Sequence, residues 1–249
     1  MSHEILGIDI GGSGIKGAIV NVKNGKLLSE KLKLDTPQPA TPQAVAETVK
    51  KLIEKLNYNG SLIGCGFPAI IHHGVANSAA NIDKSWIKID VEKLLSEATG
   101  KKVYVANDAD VAGIAEHTFG NAEKANGSVI LLTLGTGVGS ALIYKNELVP
   151  NTEFGHMYMP NGMTIEDYTA NSTRENESLT WETYGKRLNE ALKYLEFLFS
   201  PELFILGGGI SKKFDLYSKQ FTFQTRIKPA EYLNEAGIIG AALYAYSHD

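Results

Sequence analysis

The chain has 249 residues, of which 43% are hydrophobic and 21% charged, and its formal net charge is -4. This composition is typical of a globular protein with a substantial core, and it excludes disordered, collagen-like and coiled-coil chains. The acidic balance and the lack of a basic block disfavour nucleic-acid binding. Because the apolar runs are too short to span a membrane and the first residues lack the basic segment of a secretory signal, we expect a cytoplasmic protein. The single cysteine, Cys65, excludes an internal disulfide and a site built from several thiolates, and we expect it to be a small buried residue.

The first half of the chain predicts alternating strands and helices. Three antiparallel strands are expected at the start, separated by glycine-containing turns, at residues 5–10, 15–22 and 26–34. Thr41 and Pro42 are typical of a helix start, and apolar residues then recur at helical spacing. A strand, a helix that ends at Gly100, a second strand and a second helix are expected to follow, at residues 62–67, 91–99, 103–106 and 111–117.

The second half of the chain repeats the mixture of strands and helices. We expect strands at residues 129–134, 141–144 and 204–206. Residues 179–199 have the period of one long amphipathic helix, whose aromatic side chains are expected in the core, and a last helix is expected over 234–246.

An internal repeat links the two halves. Residues 8–20 and residues 132–143 each contain a strand, a glycine-rich turn and a returning strand. The first turn is Gly11-Gly12-Ser13-Gly14, and the second runs from Gly135 to Gly139. Such a repeat indicates two similar α/β lobes, each opening with a glycine hairpin, and we expect the hairpins to face each other across a cleft.

Glycine hairpins of this kind are suited to phosphate. Without Cβ atoms, and with positive φ angles available, successive backbone N–H groups can approach one anion. Asp9, just before the first turn, is placed to hold Mg²⁺ or its waters, and Lys16 is placed to reach back over the turn. Neither turn fits the P-loop pattern or a Rossmann glycine motif at the start of a helix.

These motifs resemble a known family. The hairpin of residues 9–14, repeated at 134–139, resembles the sugar kinases of the actin-like ATPase superfamily. The strings NDA at 107–109 and EFGH at 153–156 resemble the ROK (repressor, open reading frame, kinase) family. Six longer strings resemble the polyphosphate glucokinase branch of this family specifically. They are DIGGSGIKG at 9–17, TPQPATP at 36–42, AANIDKSW at 79–86, NDADVAG at 107–113, LVPNTEFGH at 148–156 and FILGGGISKK at 204–213.

The resemblance implies a fold and an activity. The fold would be α/β and actin-like (ribonuclease H-like), with two similar lobes around a central cleft. The first lobe would cover residues 1–107, with a C-terminal helix at 234–249 packing back on it, and the second residues 108–233. The activity would be transfer of a terminal phosphoryl group from inorganic polyphosphate, ATP or both to the 6-hydroxyl of glucose, with Mg²⁺. Because the cysteine cluster of zinc-binding members is missing, we expect no zinc; the resemblance also implies a homodimer.

Residue roles follow from the same resemblance. Asp108 would be the general base that takes the proton of the sugar hydroxyl, whereas the residues alone favour a simple cap of the following helix by Asn107 and Asp108. The sugar would be bound by Asp108 together with Asn81, Asn107, Glu153, His156 and Glu166. The phosphoryl donor would be bound by Asp9, Gly11, Gly12, Ser13, Lys16, Gly135, Thr136, Gly137, Gly208, Gly209 and Lys212, with Lys213 beside it.

Three alternatives stay open at this point. The chain could be an ATP-only hexose kinase whose acceptor is mannose, fructose or an N-acetylated amino sugar. A sugar-sensing ROK regulator would carry a helix-turn-helix before the first strand, and residues 1–4 leave no room for one. A structural ATPase of the actin or chaperone kind would need a longer chain and has no use for the EFGH string.

Overall fold

The computed structural model describes residues 3–79, 82–122 and 125–249, and these divide into two α/β units. Unit 1 consists of residues 1–115 and 235–249, and unit 2 of residues 116–234. The strands are β1 (Glu4–Gly11), β2 (Gly14–Asn21), β3 (Lys26–Leu27), β4 (Leu32–Leu34), β5 (Leu62–Phe67), β6 (Ile71–His72), β7 (Val75–Ala76), β8 (Lys102–Asn107), β9 (Ser128–Leu134), β10 (Val138–Tyr144), β11 (Glu147–Val149), β12 (Leu203–Gly207) and β13 (Arg226–Pro229). The helices are α1 (Pro42–Lys55), α2 (Val91–Thr99), α3 (Asp108–Thr118), α4 (Ile165–Thr169), α5 (Asn171–Asn176), α6 (Trp181–Phe199), α7 (Phe214–Tyr217) and α8 (Ala236–His248).

The sheet of unit 1 has the order β3-β2-β1-β5-β8, and β4 also pairs with β2. β1 and β2 form an antiparallel hairpin, whereas β1, β5 and β8 run parallel. Cys65 is fully buried in β5, as predicted. The predicted start of α1 is also confirmed: Thr41 Oγ1 accepts from the amide of Ala44, with Pro42 at the first helical position.

The predicted third strand, residues 26–34, is wrong as a continuous element. It is divided into β3 and β4, which both pair with β2. Between them the amide of Ile19 donates to Ser29 Oγ at 3.0 Å instead of to a backbone carbonyl. A side-chain acceptor therefore replaces one step of the ladder, and the strand is interrupted there.

Helix α8 packs on the sheet of unit 1 through glycines. Gly7 of β1 and Gly64 of β5 are paired in register and make a groove without side chains. A Cβ atom at Gly7 would lie 1.9 Å from the Ile238 carbonyl oxygen, and one at Gly64 would lie 1.7 Å from that of Ala241. Backbone therefore contacts backbone along this groove, which only glycine permits.

The boundary between the units differs from the predicted limits at 107 and 233. It falls within α3, after Ala115, and after Asn234. The first turns of α3 pack inside unit 1, because a Cβ at Gly240 of α8 would lie 1.6 Å from the carbonyl oxygen of Val111 in α3.

The sheet of unit 2 has the order β11-β10-β9-β12-β13, with β9 and β10 antiparallel and β9 and β12 parallel. The long predicted helix is confirmed as α6, which begins two residues later than expected because Thr180 caps it. Its aromatic residues do not all lie in the core: Tyr184 is buried, but Phe197 is 82% exposed. In the part of the chain that the structure covers, no helix is both long and apolar enough to cross a membrane.

Candidate active site

Three candidate side chains of unit 1 lie at one edge of its sheet. Asp9 of β1 is in register with Gly66 of β5, which is in register with Ala106 of β8. Since these strands are parallel, their carboxyl ends meet at this edge, where Asn107 and Asp108 follow Ala106. A Cβ atom at Gly66 would lie 3.6 Å from the Cα of Asp108. The fold thus brings the predicted base to the same edge as the first glycine turn.

The first glycine turn is a tight hairpin. Gly11 and Gly14 are paired, so Gly12 and Ser13 form a two-residue loop. The turn is held from one side: Thr36 Oγ1 donates to the Gly11 carbonyl at 2.5 Å, and Gln38 Nε2 donates to that of Gly12 at 3.5 Å. Gly11, Gly12 and Gly14 do not adopt positive φ. The prediction that these three glycines are needed for positive φ angles is therefore wrong.

Another side chain approaches closely at position 14. A Cβ atom there would lie 2.2 Å from Cε of Lys33 and 3.2 Å from its Nζ. The aliphatic part of Lys33 therefore runs directly over the returning strand of the turn.

Asp9 and Lys16 form an ion pair. They are cross-strand partners in β1 and β2, and Lys16 Nζ donates to Asp9 Oδ2 at 3.0 Å. The Asp9 side chain is only 19% exposed, and it lies against the first turn of α8, where a Cβ at Gly237 would be 3.1 Å from its Cγ. Lys16, predicted to reach over the glycine turn, instead holds the carboxylate that precedes it.

Asn107 and Asp108 make different contacts at the start of α3, and the general-base role of Asp108 stays a prediction. Asn107 Oδ1 accepts from the amides of Ala109 at 2.9 Å and Asp110 at 3.2 Å, and its Nδ2 donates to the carbonyl of Ala69 at 3.2 Å. Asn107 is therefore the cap of α3 and is 8% exposed. Asp108 Oδ1 accepts from the adjacent amide of Ala109 at 2.8 Å, so its carboxylate stays at the sheet edge.

Unit 2 has an equivalent sheet edge. The second glycine turn, Gly135 to Gly137, joins β9 to β10. Gly207 of β12 is in register with Thr133 of β9, so the turn that follows β12 lies beside it. Gly208 has a φ of 81°, and a Cβ there would lie 2.3 Å from the Leu134 carbonyl oxygen. Here glycine is required both by the left-handed backbone and by the close contact.

Three predicted sugar ligands gather beside this second turn. Glu166 Oε2 accepts from the amide of Val138 at 2.7 Å, and a Cβ at Gly137 would lie 2.3 Å from the same oxygen. His156 Nδ1 lies 3.8 Å from Glu153 Oε2. Burial raises the pKa of the Glu153 carboxyl above its ordinary value, His156 opposes this effect, and the charge of Glu166 adds to it. The cluster therefore combines two partly buried acidic groups with one exposed imidazole.

Three polar residues that hold the Glu153 segment and the two glycine turns in place were not identified from the sequence. Ser140 Oγ accepts from the amide of Phe154 at 2.9 Å and donates to the Thr152 carbonyl at 2.7 Å, which fixes the segment carrying Glu153. Ser172 Oγ donates to the carbonyl of Thr136 at 2.6 Å and so holds the second glycine turn, as Thr36 holds the first. Serine and threonine in polar segments give no local signal of such distant partners; for Thr36 the only hint was its place in the TPQPATP string.

The remaining predicted residues are less informative. Lys212 and Lys213 lie in a short 3-10 helix after Gly208 and are exposed. Asn81 lies outside the described residues. Across residues 3–79, 82–122 and 125–249, no three His, Cys, Asp or Glu side chains gather in a metal-binding arrangement; the zinc-free expectation stays a prediction.

The chain is similar to known sugar kinases. Residues 5–176 match the family model described as the ROK family. A polyphosphate glucokinase of Mycobacterium tuberculosis (strain CDC 1551 / Oshkosh) is 44% identical over 239 residues, which are 96% of this chain and 89% of the relative. The solved structure of the inorganic polyphosphate/ATP-glucomannokinase from Arthrobacter sp. strain KM has a TM-score of 0.94 and 47% identity, covering 100% of both chains.

A more distant structure bears on the fold alone. The ROK family glucokinase from Streptomyces griseus, solved with glucose and AMPPNP, has a TM-score of 0.83 and 24% identity, covering 98% of this chain and 99% of its own. Together with the two sheets described above, these matches confirm the predicted actin-like α/β fold.

Proposed function

The chain belongs to the ROK family, and on this premise we propose that it is a glucokinase that transfers the terminal phosphoryl group of inorganic polyphosphate, ATP or both to the 6-hydroxyl of glucose. The two relatives reported above at more than 40% identity over nearly all of the chain are named a polyphosphate glucokinase and an inorganic polyphosphate/ATP-glucomannokinase. The structural observation that carries the proposal is the position of Asp108 at the same sheet edge as the first glycine turn.

In the proposed mechanism Asp108 accepts the proton of the sugar hydroxyl as that oxygen attacks the terminal phosphorus, and the bond from this phosphorus to the bridging oxygen breaks, which releases ADP or the shortened polyphosphate. Phosphoryl transfer passes through a loose transition state, so positioning and charge neutralisation contribute more than the base itself. Asn107 supports the base by capping α3, which fixes the backbone from which Asp108 projects. The second hydrogen of Asn107 Nδ2 is left for a sugar oxygen.

The donor is assigned to the backbone amides of the first glycine turn, and donor binding at residues 135–137, Gly208 and Gly209 stays a prediction. These amides bind phosphate oxygens without adding a formal charge. Asp9 fits the ligand preference of Mg²⁺, because a single half-buried carboxylate leaves the other coordination positions to water and phosphate oxygens. Bound there with the donor, Mg²⁺ would neutralise phosphate charge.

Glucose recognition is assigned to Glu153, His156 and Glu166. Neighbouring sugar hydroxyls are both donors and acceptors, and a carboxylate beside an imidazole can pair with two of them. A site whose polar groups are left unpaired by the wrong sugar loses about 1–3 kcal/mol for each one. Because Glu166 also holds the amide of Val138, sugar binding and the shape of the second glycine turn depend on one side chain.

The raised pKa of Glu153 has a consequence for the pH dependence. Its carboxyl is protonated at a higher pH than an ordinary glutamate, so the acceptor for the sugar is lost as the pH falls through this raised value. As the pH is lowered, we expect kcat/KM for glucose to fall, with the midpoint of this fall above about pH 4.3, the ordinary pKa of a glutamate. Glu153→Gln should remove this limb and lower kcat/KM about tenfold or more. An unchanged acid limb in the variant would contradict the assignment, and Glu182→Gln, an exposed residue of α6, serves as the control.

A second expectation concerns Lys212 and Lys213. Polyphosphate carries about one negative charge per unit, and a local basic track in an acidic protein would favour it. Reversing both charges to glutamate should therefore raise the KM for long-chain polyphosphate several-fold more than the KM for ATP, because a long chain contacts more cations. An equal loss with both donors would exclude a role specific to polyphosphate.

One assay tests the proposed function. Purified protein with Mg²⁺ is supplied with glucose, mannose, fructose or N-acetylated amino sugars, and with either ATP or long-chain polyphosphate. Formation of sugar 6-phosphate from glucose with polyphosphate or ATP is the expected result. Activity with another sugar only would favour the alternative hexose kinase, and no activity with any pair would reject the proposal. The cytoplasmic location and the homodimer expected from the sequence are part of the same proposal, and sedimentation analysis tests the dimer.

A further inference from the structure

Lys33 is a cation of the first glycine turn that neither the sequence motifs nor the proposed mechanism uses. It lies in β4, is exposed, and is the cross-strand partner of Lys16 in β2. Lys16 is in turn the partner of Asp9 in β1. Directly paired residues of antiparallel strands point to the same face, so Asp9, Lys16 and Lys33 form one row across three strands.

The charges of this row do not balance. Lys16 is paired with Asp9 at 3.0 Å. Lys33 forms no ion pair or hydrogen bond with any residue that the structure describes. Like charges directly opposite each other in a sheet are destabilising, and an anion between them removes the repulsion. The row therefore has one surplus positive charge, and it stands next to the glycine turn.

The side chain of Lys33 also lies toward the turn. Position 14 is free of a side chain, and Cε of Lys33 occupies the space that a Cβ there would need, at 2.2 Å. Its Nζ lies 3.2 Å from the same point. The nearby Lys31, which comes just before β4, is instead paired with Glu235 at 3.2 Å. Of these two lysines, the one over the turn is the one without a carboxylate partner among the described residues.

We propose that Lys33 binds the phosphate chain of the phosphoryl donor at the first glycine turn. This inference rests on the proposed kinase function and adds a specific donor contact to it. The ligand chemistry is a condensed phosphate chain, which inorganic polyphosphate and the triphosphate of ATP share. Lys16 is held by Asp9, so Lys33 is the ammonium group that can pair with the phosphate oxygens while the backbone amides of the turn bind its end.

The test compares two lysines on strands that pair with opposite ends of β2. Lys33→Gln removes the charge near the glycine turn, and Lys26→Gln removes an exposed charge at the far end, where Lys26 pairs with Asn21. Tripolyphosphate with Mg²⁺ is titrated calorimetrically into each protein without sugar. We expect about three- to tenfold weaker binding for Lys33→Gln, the range of one partly exposed charge-assisted contact. Lys26→Gln should bind like the unaltered protein, and Lys33→Arg should restore most of the affinity.

Steady-state kinetics complete the test. Lys33→Gln should raise the donor KM by the same factor, with kcat and the KM for glucose within about twofold, since a peripheral ion contact acts on binding. A higher KM for polyphosphate, for ATP or for both supports the proposal and identifies the donor that Lys33 contacts. Tripolyphosphate affinity and donor KM equal to those of Lys26→Gln would overturn it. Failure of the unaltered protein to phosphorylate any sugar would instead reject the proposed function, because the calorimetric comparison does not depend on turnover.

Discussion

Asp108→Asn is expected to lower kcat by about 10²–10⁴-fold, the usual contribution of a positioned general base. The variant should still fold and bind glucose, because asparagine has the same shape and keeps an oxygen for the amide of Ala109. The KM for glucose should therefore change little. The measurement is steady-state kinetics with saturating polyphosphate or ATP, accompanied by glucose binding measured calorimetrically.

The structure supplies a control for the competing role as a helix cap. Asp90 caps α2, accepting from the amide of Lys93 at 2.9 Å, and lies in the same unit. Asp90→Asn should leave kcat within about twofold while lowering stability slightly. If Asp108→Asn behaves like Asp90→Asn, with turnover close to that of the unaltered protein, then Asp108 is a structural residue and the assigned base is wrong.

Gly240→Ala is expected to destabilise the protein although alanine is the better helix former. In an ordinary helix the change gains about 1 kcal/mol. Here the new Cβ would lie 1.6 Å from the carbonyl oxygen of Val111, and backbone cannot move aside as a flexible side chain does. Overpacking costs about 1–3 kcal/mol and more at such a distance, so we expect a net loss of about 2 kcal/mol and a Tm lower by about 4–8 °C.

The size and sign of this effect are measured by thermal and urea unfolding. Ser247→Ala, at an exposed position of the same helix, should change stability by no more than about 0.5 kcal/mol. A Gly240→Ala protein as stable as the unaltered one would show that α8 does not pack against α3 as closely as described. Gly64→Ala, which would place a Cβ 1.7 Å from the Ala241 carbonyl oxygen, provides an independent check on the same contact.

Features that depend on neighbouring residues could be predicted from the sequence. The paired glycine turns, the Thr41 cap, the burial of Cys65 and the positions of the longer strands along the chain all follow from local composition and period. The family resemblance supplied the rest of the candidate site, and the residues it named lie at two sheet edges, one in each unit.

Features that depend on distant partners could not be predicted. The ion pair of Lys16 with Asp9 and the approach of Lys33 to Gly14 follow from strand register, which is set by tertiary packing. The break after β3 arises from one side-chain hydrogen bond to Ser29. The short helices α4 and α5 were missed because five or six residues are too few to show a helical period.

The glycine groove of unit 1 also has a consequence for synthesis on the ribosome. Gly7 and Gly64 are made early, but α8, which fills the groove between them, is made after all of unit 2. At about 5–20 residues per second the two strands wait roughly 10–30 s for their covering helix. Unit 2 is one continuous segment and can fold within that interval, so the half of the molecule that is translated first is completed last.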